Sequence, residues 1–468
     1  PVAAGDPYFA AGQNTLSARR AVKPNTRPAR NVILFVGDGM DPTTVTAARI
    51  YDGQSRGEKG EENSLSFERF PWIAMAKTYN TNAQVPDSAG TISAIMTGVK
   101  TKIGVLGITD AAAHGDCAGA LAHPAATLGE LAHQAGLGVG VVTTTRITHA
   151  TPAGVYAHSA DRNWEADGDL SDPARAGGCV DIARQLLAFG GGAGPDVVLG
   201  GGRQKFLPAE AADPEYPDRK GQRRDGRDLT RDWTAKGAGY AYVWNKEGFA
   251  KIDPKTNPRL LGLFEVSHMQ YEADRAADKA GEPSLVEMTE KAIDILSNQK
   301  NGYFLLVEAG RIDHAHHAGN AARALGDTQE LSKAVAAARA RTNAKDTLII
   351  VTSDHGHTLS MAGYPARGSN ILGLSTPVAG GEGGEDEGPY ALAADKKPYT
   401  TLGYANGPGS PFVGALKDGK RPDIKPEEAT DLAYRQQSAV PMASETHGGQ
   451  DVLIFADGPR AYLFGGIV

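Results

Sequence analysis

Short, unbroken apolar runs that each stop at a polar cluster set the rhythm of this chain. Asn31-Val-Ile-Leu-Phe-Val-Gly37 ends at Asp38, Gly138 to Val142 ends at Thr143, and Tyr303 to Val307 ends at Glu308. Thr347-Leu-Ile-Ile-Val351 precedes Ser353-Asp354-His355, and Asp451-Val-Leu-Ile-Phe455 repeats the plan. Continuous Val/Ile/Leu runs of this length suit strands covered on both faces, and the intervals between them are long enough for crossover helices. The pattern predicts an α/β fold with a large, mainly parallel central sheet flanked by helices on both faces. Ligands of such sheets bind beyond the carboxyl ends of the strands. Ala321 to Ala344 is predicted as a helix with Glu, Lys and Arg on its wet face. Two stretches are predicted as excursions from the sheet, Pro208 to Trp233 and Tyr364 to Pro441. The second, residues 364–441, contains the acidic glycine run Gly380-Gly-Glu-Gly-Gly-Glu-Asp-Glu-Gly388 and reads as a small inserted subdomain.

The chain has 468 residues, 41% of them hydrophobic, enough to bury a large core. A formal net charge of -7 leaves no electrostatic footprint for nucleic acid or an anionic membrane, so no nucleic-acid partner is expected and an anionic substrate needs local positive charge. Cys117 and Cys179 are the two cysteines; with no CxxC pair a cysteine zinc cluster is excluded, and one disulfide or two free thiols remain open. No window reaches the roughly 18 consecutive apolar residues of a membrane span. The chain begins at Pro1 and is expected to be a soluble, secreted protein, periplasmic or extracellular, with any signal peptide removed.

Eight of the twelve histidines fall in four short segments: His149 to His158, Asp313-His314-Ala-His316-His317, Asp354-His355-Gly-His357, and Glu445-Thr446-His447. If a helix begins at Arg311, Asp313 and His317 stand at i and i+4 on one face, a spacing that lets two side chains bind one metal ion. The alternative for that motif alone is a polar helix start with a capping aspartate. Asp38, Glu308 and Asp354 each follow a predicted strand and would converge with Asp313 on one sheet edge, where four carboxylates repel one another unless cations neutralise them. In Pro86-Asp-Ser-Ala-Gly-Thr-Ile-Ser-Ala94, Ser88 stands at a helix start whose free amides and dipole favour an anion. By itself Ser88 is either an N-cap or a nucleophile. No GxSxG elbow is present, so an α/β-hydrolase triad has no support.

Taken together and in order, Gly37-Asp38-Gly39-Met40, Asp87-Ser88-Ala89-Gly90-Thr91, His149-Ala-Thr151-Pro152-Ala153, Glu308-Ala-Gly-Arg-Ile-Asp313, Asp354-His355 and Thr446-His447-Gly448-Gly449 resemble the alkaline phosphatase family. The likeness runs from about Asp6 to Gly466. It is closer to the animal enzymes than to the enteric bacterial type in Thr143-Thr-Thr145-Arg146 and in Ala157-His158 to Asn163-Trp164. The resemblance implies hydrolysis of phosphate monoesters over a broad substrate range, through a phosphoserine at Ser88. It implies one zinc on Asp313, His317 and His447, a second on Asp38, Asp354, His355 and the Ser88 oxygen, and a magnesium on Asp38, Thr151 and Glu308. Arg162 would bind phosphate, oriented by Asp87. Two in-line displacements follow, with net retention at phosphorus.

The same resemblance implies a Cys117–Cys179 disulfide and a homodimer, with an N-terminal arm over residues 1–30 as a dimer contact and the 364–441 insertion as a crown-like cap on the interface. It also suggests a peripheral calcium site on Glu215, the Phe264 carbonyl, Glu265 and Glu282, with a merely structural charged loop as the alternative. His149 and His314 stand beside the magnesium and phosphate positions, where the enteric type has Asp and Lys, and are expected to weaken magnesium binding and raise the pH optimum. His316 and His357 match no ligand and are expected to be polar surface groups or neighbours of the ligands. Asp41 is an added carboxylate near the metals and is expected to cap the helix opening at Pro42. Competing readings are a phosphodiesterase or sulfatase of the same metal-dependent superfamily, and a catalytically silent metal- or phosphate-binding protein. Neither cysteine lies in the CxPxR setting of a sulfatase.

Overall fold

The computed structural model describes residues 5–378, 388–412 and 419–468. Its central sheet has ten strands: β1 (Asn31–Gly37), β2 (Trp72–Ala76), β3 (Gly138–Arg146), β4 (Val197–Gly201), β5 (Tyr240–Val243), β6 (Arg259–Leu263), β7 (Tyr303–Ala309), β8 (Thr347–Thr352), β9 (Val452–Asp457) and β10 (Gly466–Ile467). Their order across the sheet is β10-β2-β9-β8-β1-β7-β3-β4-β6-β5. From β8 to β5 every neighbouring pair is parallel. β9 runs antiparallel to both β8 and β2. An unbroken apolar run encodes burial on both faces but not direction, which is why β9 shares the pattern of the parallel strands while running against them.

Successive residues of β1 divide between two cores. Ile33 and Phe35 pack with Leu305, Val307, Met288 and Leu325 on one face, where the helices Pro42–Gln54, Leu285–Leu296 and Ala321–Arg341 cover the sheet. Leu34 and Val36 pack with Phe304, Leu306, Val141 and Ile92 on the other, beneath Ser88–Thr97, Ile182–Gly192 and Leu229–Thr234. Each fully buried side chain of this kind contributes about 1.5–3 kcal/mol, and truncating Phe35 to alanine would cost about 3–5 kcal/mol. The Ala321–Arg341 helix is less wet than its sequence suggests. Asp327 and Glu330 on it are buried, because the helix is flanked by the sheet and by Leu285–Leu296.

The first excursion is held by buried ion pairs, Arg223 with Asp181 at 2.9 Å and Arg203 with Asp213 at 2.8 Å, and its helix Leu229–Thr234 puts Trp233 into the core. Around the second, Leu359–Met361, Leu402–Gly407 and Ser438–Pro441 form a separate three-stranded sheet. The acidic glycine run lies outside the described residues except for Gly388. No helix among the described residues is long and apolar enough to cross a membrane.

The sheet order explains the site. β8, β1, β7 and β3 are consecutive, so their carboxyl ends stand about 4.8 Å apart from one neighbour to the next. Two strands outrun their apolar cores. β7 continues through Glu308 and Ala309, and β3 through Thr143, Thr144, Thr145 and Arg146. β-Branched threonine sustains a strand, and the Thr143 and Thr145 hydroxyls bond to each other and to Glu308 across the ladder. Thr143 is in register with Glu308, and Val36, two residues before Asp38, is in register with both Glu308 and Thr352.

Candidate active site

Ser88 opens the helix Ser88–Thr97 but does not cap it. The cap is Asp87, whose carboxylate accepts from the Gly90 N–H at 3.1 Å, and the helix ends at Gly98 in the left-handed region. The Ser88 hydroxyl is thereby left for other partners. It is buried, with Oγ 3.0 Å from His355 Nε2, and that nitrogen lies 3.3 Å from both Asp38 Oδ1 and Asp354 Oδ2. Asp354 is fixed by N–H groups of Gly39 (3.1 Å) and His355 (2.8 Å) and by the Thr91 hydroxyl (3.2 Å). Gly39, at φ 72°, can only be glycine here: a Cβ would sit 2.4 Å from the His357 ring.

Asp313, His317 and His447 meet beside this group. Asp313 Oδ1 is 3.3 Å from Nε2 of each histidine, and the two Nε2 atoms are 3.1 Å apart. His317 Nδ1–H donates to the Glu445 carbonyl at 2.6 Å and His447 Nδ1–H to the Pro86 carbonyl at 2.8 Å. With both Nδ1 atoms protonated, both Nε2 atoms present lone pairs to one another and to a carboxylate. Lone pairs so opposed call for a cation among them.

Four further polar atoms carry the same message. Asp38 Oδ1 and Oδ2, Thr151 Oγ1 and Glu308 Oε1 are buried without a hydrogen bond. Buried unpaired carboxylate oxygens are costly unless a cation satisfies them. Burial, then repulsion from Asp354, Asp313 and Glu308, holds Asp38 well above the usual carboxylate range. Burial pushes Glu308 up to about 7 against a hydrogen bond from Thr143. Asp313 moves the other way: burial would raise it, but His317, His357 and His447 hold it well below. Candidate ligand atoms of Asp38, Asp354 and His355 lie within 4.8 Å of one another, as do those of Asp313, His355, His357 and His447, and those of Asp38, His149 and Glu308. Histidine–carboxylate groups suit zinc; the oxygen-rich group of Asp38, Glu308 and Thr151 suits a harder cation.

Arg162 is tied to the residue that precedes Ser88. Its Nη1 donates to Asp87 Oδ2 at 3.2 Å and its Nη2 to His149 Nε2 at 3.0 Å. Burial would raise Asp87, but the Arg162 charge and N–H donors of Gly104 and Gly90 keep it below its ordinary value and hence ionised. The residues that the resemblance associates with zinc, magnesium, nucleophile and phosphate are thus brought together at the expected sheet edge, while those associated with calcium lie apart from them. A family model, alkaline phosphatase, matches residues 29–468. The chain belongs to the alkaline phosphatase family.

It is a metal-dependent phosphatase of phosphate monoesters by that membership. It is 43% identical over 449 residues to the alkaline phosphatase of Gadus morhua, covering 95% of this chain and 90% of that one. It is 43% identical over 462 residues to the tissue-nonspecific isozyme of Homo sapiens, covering 97% and 84%. Among solved structures, the Thermus thermophilus alkaline phosphatase superposes with a TM-score of 0.65 at 27% identity, covering 97% of this chain and 92% of that one.

Within this alkaline phosphatase the remaining expectations divide. Asp41 caps the Pro42–Gln54 helix through the Thr44 N–H at 2.7 Å, as expected. Cys117 and Cys179 form a disulfide. His316 and His357 are not surface groups; both are buried. His316 bonds to Thr44 Oγ1 (3.1 Å) and Tyr404 OH (2.7 Å). His357 lies between Asp313 Oδ1 (2.8 Å) and Glu445 Oε2 (2.6 Å). Burial would lower His357, but these two carboxylates hold it up at about 10. His149 and His314 stand edge to face at 5.6 Å, and His268, which no pattern in the sequence marked, completes the group 4.2 Å from His314. At the periphery Glu215 and Glu265 are joined by Asp278, an unexpected third carboxylate, while Glu282 is pushed up to about 9 by burial and by Glu265. Phe264 is fully buried beside them.

Proposed function

We propose that Ser88 is the nucleophile of a phosphomonoester hydrolase in which Asp313, His317 and His447 hold one zinc, Asp38, Asp354 and His355 a second, and Asp38, Thr151 and Glu308 a magnesium. The observation that carries this reading is the Ser88 hydroxyl, freed from capping by Asp87 and set against His355 beside the unpaired Asp38 oxygens. Bound divalent cations would neutralise the carboxylates, lower the pKa of the serine hydroxyl and of water, and offset charge on the departing oxygen. Arg162 presents its fork to two phosphate oxygens while Asp87 and His149 hold the guanidinium in place. Ser88 gives up its hydroxyl proton to solvent and Oγ attacks phosphorus in line: the Oγ–P bond forms, the ester P–O bond breaks, and the alcohol leaves with a proton from solvent. Water then attacks the phosphoserine, releases inorganic phosphate and restores Ser88, so that two inversions retain configuration. A broad substrate range is part of the same reading.

Other features support the rest of the reading. The disulfide fits a periplasmic or extracellular protein. The helix Pro7–Ala21 has no buried residue and exposes Tyr8, Phe9 and Leu16, which fits residues 1–30 as a homodimer contact. Three clustered carboxylates at Glu215, Glu265 and Asp278, with Glu282 close by, fit the peripheral calcium. The test is hydrolysis of para-nitrophenyl phosphate and of its bis-ester, with chelator and with zinc and magnesium restored. Preference for the monoester, loss on chelation and recovery on add-back are expected, with Ser88→Ala forming no phosphoenzyme while it still binds metal. A preference for the diester, or a phosphoenzyme in Ser88→Ala, would overturn the assignment.

A further inference from the structure

Arg162 is held at its tip, by Asp87 and His149, but a side chain held only at its tip is no better placed than the backbone segments beneath it. Those segments are the turn Arg146–His149, closed by the His149 N–H on the Arg146 carbonyl at 2.9 Å, and the loop Asp161–Glu165, closed by Trp164 N–H on Asp161 O at 3.1 Å and Glu165 N–H on Asn163 O at 2.8 Å. One carboxylate joins them. Glu165 accepts from Arg146 Nε and Nη2, each at 2.7 Å, and from Thr148 Oγ1 at 2.5 Å.

We propose that Glu165 is a positioning residue for Arg162: with Arg146 and Thr148 it fixes the loop that carries the guanidinium onto the turn that carries His149. The links close a ring, from Arg162 Nη2 to His149 Nε2, along the turn to Arg146, across to Glu165, and back along the loop to Arg162. The pair is desolvated, with side-chain exposures of 18% for Arg146 and 7% for Glu165. Arg146 is fixed in turn from a third segment, where Ser267 Oγ accepts at 3.3 Å and the His268 ring lies against Nη1. Being neutral overall, the ion pair adds no net charge at the phosphate, so its effect on Arg162 is geometric. A buried ion pair is weak evidence for stability, since apolar residues of similar volume often serve as well. Apolar residues could not hold the turn and the loop in one angular register, as a bidentate fork with a third donor does. The Thr151 hydroxyl, two residues beyond His149, depends on the same turn.

The proposal rests on Arg162 as the phosphate ligand, and the test separates the two. Inhibition by inorganic phosphate, together with KM and kcat for para-nitrophenyl phosphate, is measured on metal-loaded wild type, Glu165→Gln, Arg162→Ala and the double variant. Glu165→Gln is expected to weaken phosphate binding and raise KM by about tenfold or more, the usual effect of removing a partner that orients a ligand. In the Arg162→Ala background the same substitution is expected to add nothing further. An equal loss in both backgrounds, or no loss in either, would overturn the proposal; phosphate binding unmoved by Arg162→Ala itself would overturn the reading beneath it. If Glu165→Gln does not accumulate because Arg146 is left buried and unpaired, Arg146→Gln with Glu165→Gln leaves no lone charge and carries the same comparison.

Discussion

Loading the metal-free protein with zinc and magnesium should expel a proton from Glu308 below neutral pH and none from it at alkaline pH. Carboxylate ligands must be ionised to bind a cation, yet burial holds Glu308 at about 7 and Asp38 well above its ordinary range when no cation is present. With a value of about 7, Glu308 is about nine-tenths protonated at pH 6 and about one-hundredth at pH 9. Its rise from 4.5 to about 7 corresponds to about 3 kcal/mol that cation binding must overcome. Titration calorimetry in buffers of different ionisation enthalpy counts the protons. At least one per active site is expected at pH 6, and Glu308→Gln should release about one fewer at pH 6 but as many as wild type at pH 9, where metal-bound water and Ser88 titrate in both. Proton release that is absent at pH 6, or the same in Glu308→Gln as in wild type at pH 6, would refute the reasoning.

The proton count is preferred to a melting curve because the stability contributions oppose one another. The folded value of Glu308 lies above its unfolded one, so its contribution to the metal-free protein is fully present below about 4.3 and lost as pH rises through about 7. His149, His314, His316, His317 and His355 are depressed by burial, so their folded forms stay neutral while the unfolded chain binds protons, and stability rises with pH until about 6.5. Near pH 6 the two trends offset each other in a melting temperature but not in protons released by metal.

Two further outcomes can be checked directly. The Cys117–Cys179 bridge closes a separation of 62 residues that contains β3, His149, Thr151 and Arg162, so Cys117→Ser with Cys179→Ser should lower stability by about 4 kcal/mol, read from denaturant midpoints; a loss under about 1 kcal/mol would contradict this. His149→Asp should tighten magnesium by about tenfold or more, because its Nδ1 is buried without a partner beside Asp38 and Glu308 and a carboxylate there adds a charged oxygen; an unchanged magnesium titration would sink the idea.

What the sequence made legible was whatever is encoded locally. The apolar runs of β1, β7 and β8 announce themselves, and each is followed by, or ends on, the acid that matters, so Asp38, Glu308 and Asp354 could be read off without knowing the register. Asp313 and His317 were legible because one helical turn brings them together. His268 was not: it meets His149 and Arg146 from more than 110 residues away, and nothing in Val266-Ser-His-Met269 marks it. Asp278 and the Arg146–Glu165 pair were hidden for the same reason, since acids and arginines in loops look alike until the chain is folded. Glu445 and His357 offered a fainter signal. Each lies two residues from a histidine of a candidate metal group, His447 and His355, where a short extended segment turns alternate side chains to a shared side.

That alternation bears on how the site holds its ligands ready. Glu445 accepts through one oxygen from Thr358 N–H and Thr358 Oγ1, each at 2.7 Å, and through the other from His357, which reaches Asp313. Its carbonyl, meanwhile, accepts from His317 Nδ1. One residue thus sets the tautomer of one histidine and, through His357, the orientation of the carboxylate facing it. His447 is set independently, by the Pro86 carbonyl two residues before Ser88. The Ser88 segment and one side of the proposed zinc site are therefore parts of a single hydrogen-bonded frame, so a backbone shift at Pro86 would move Ser88 and His447 together. A frame of that kind would keep the distance between Ser88 and His447 constant, as the two successive displacements at one phosphorus proposed above require.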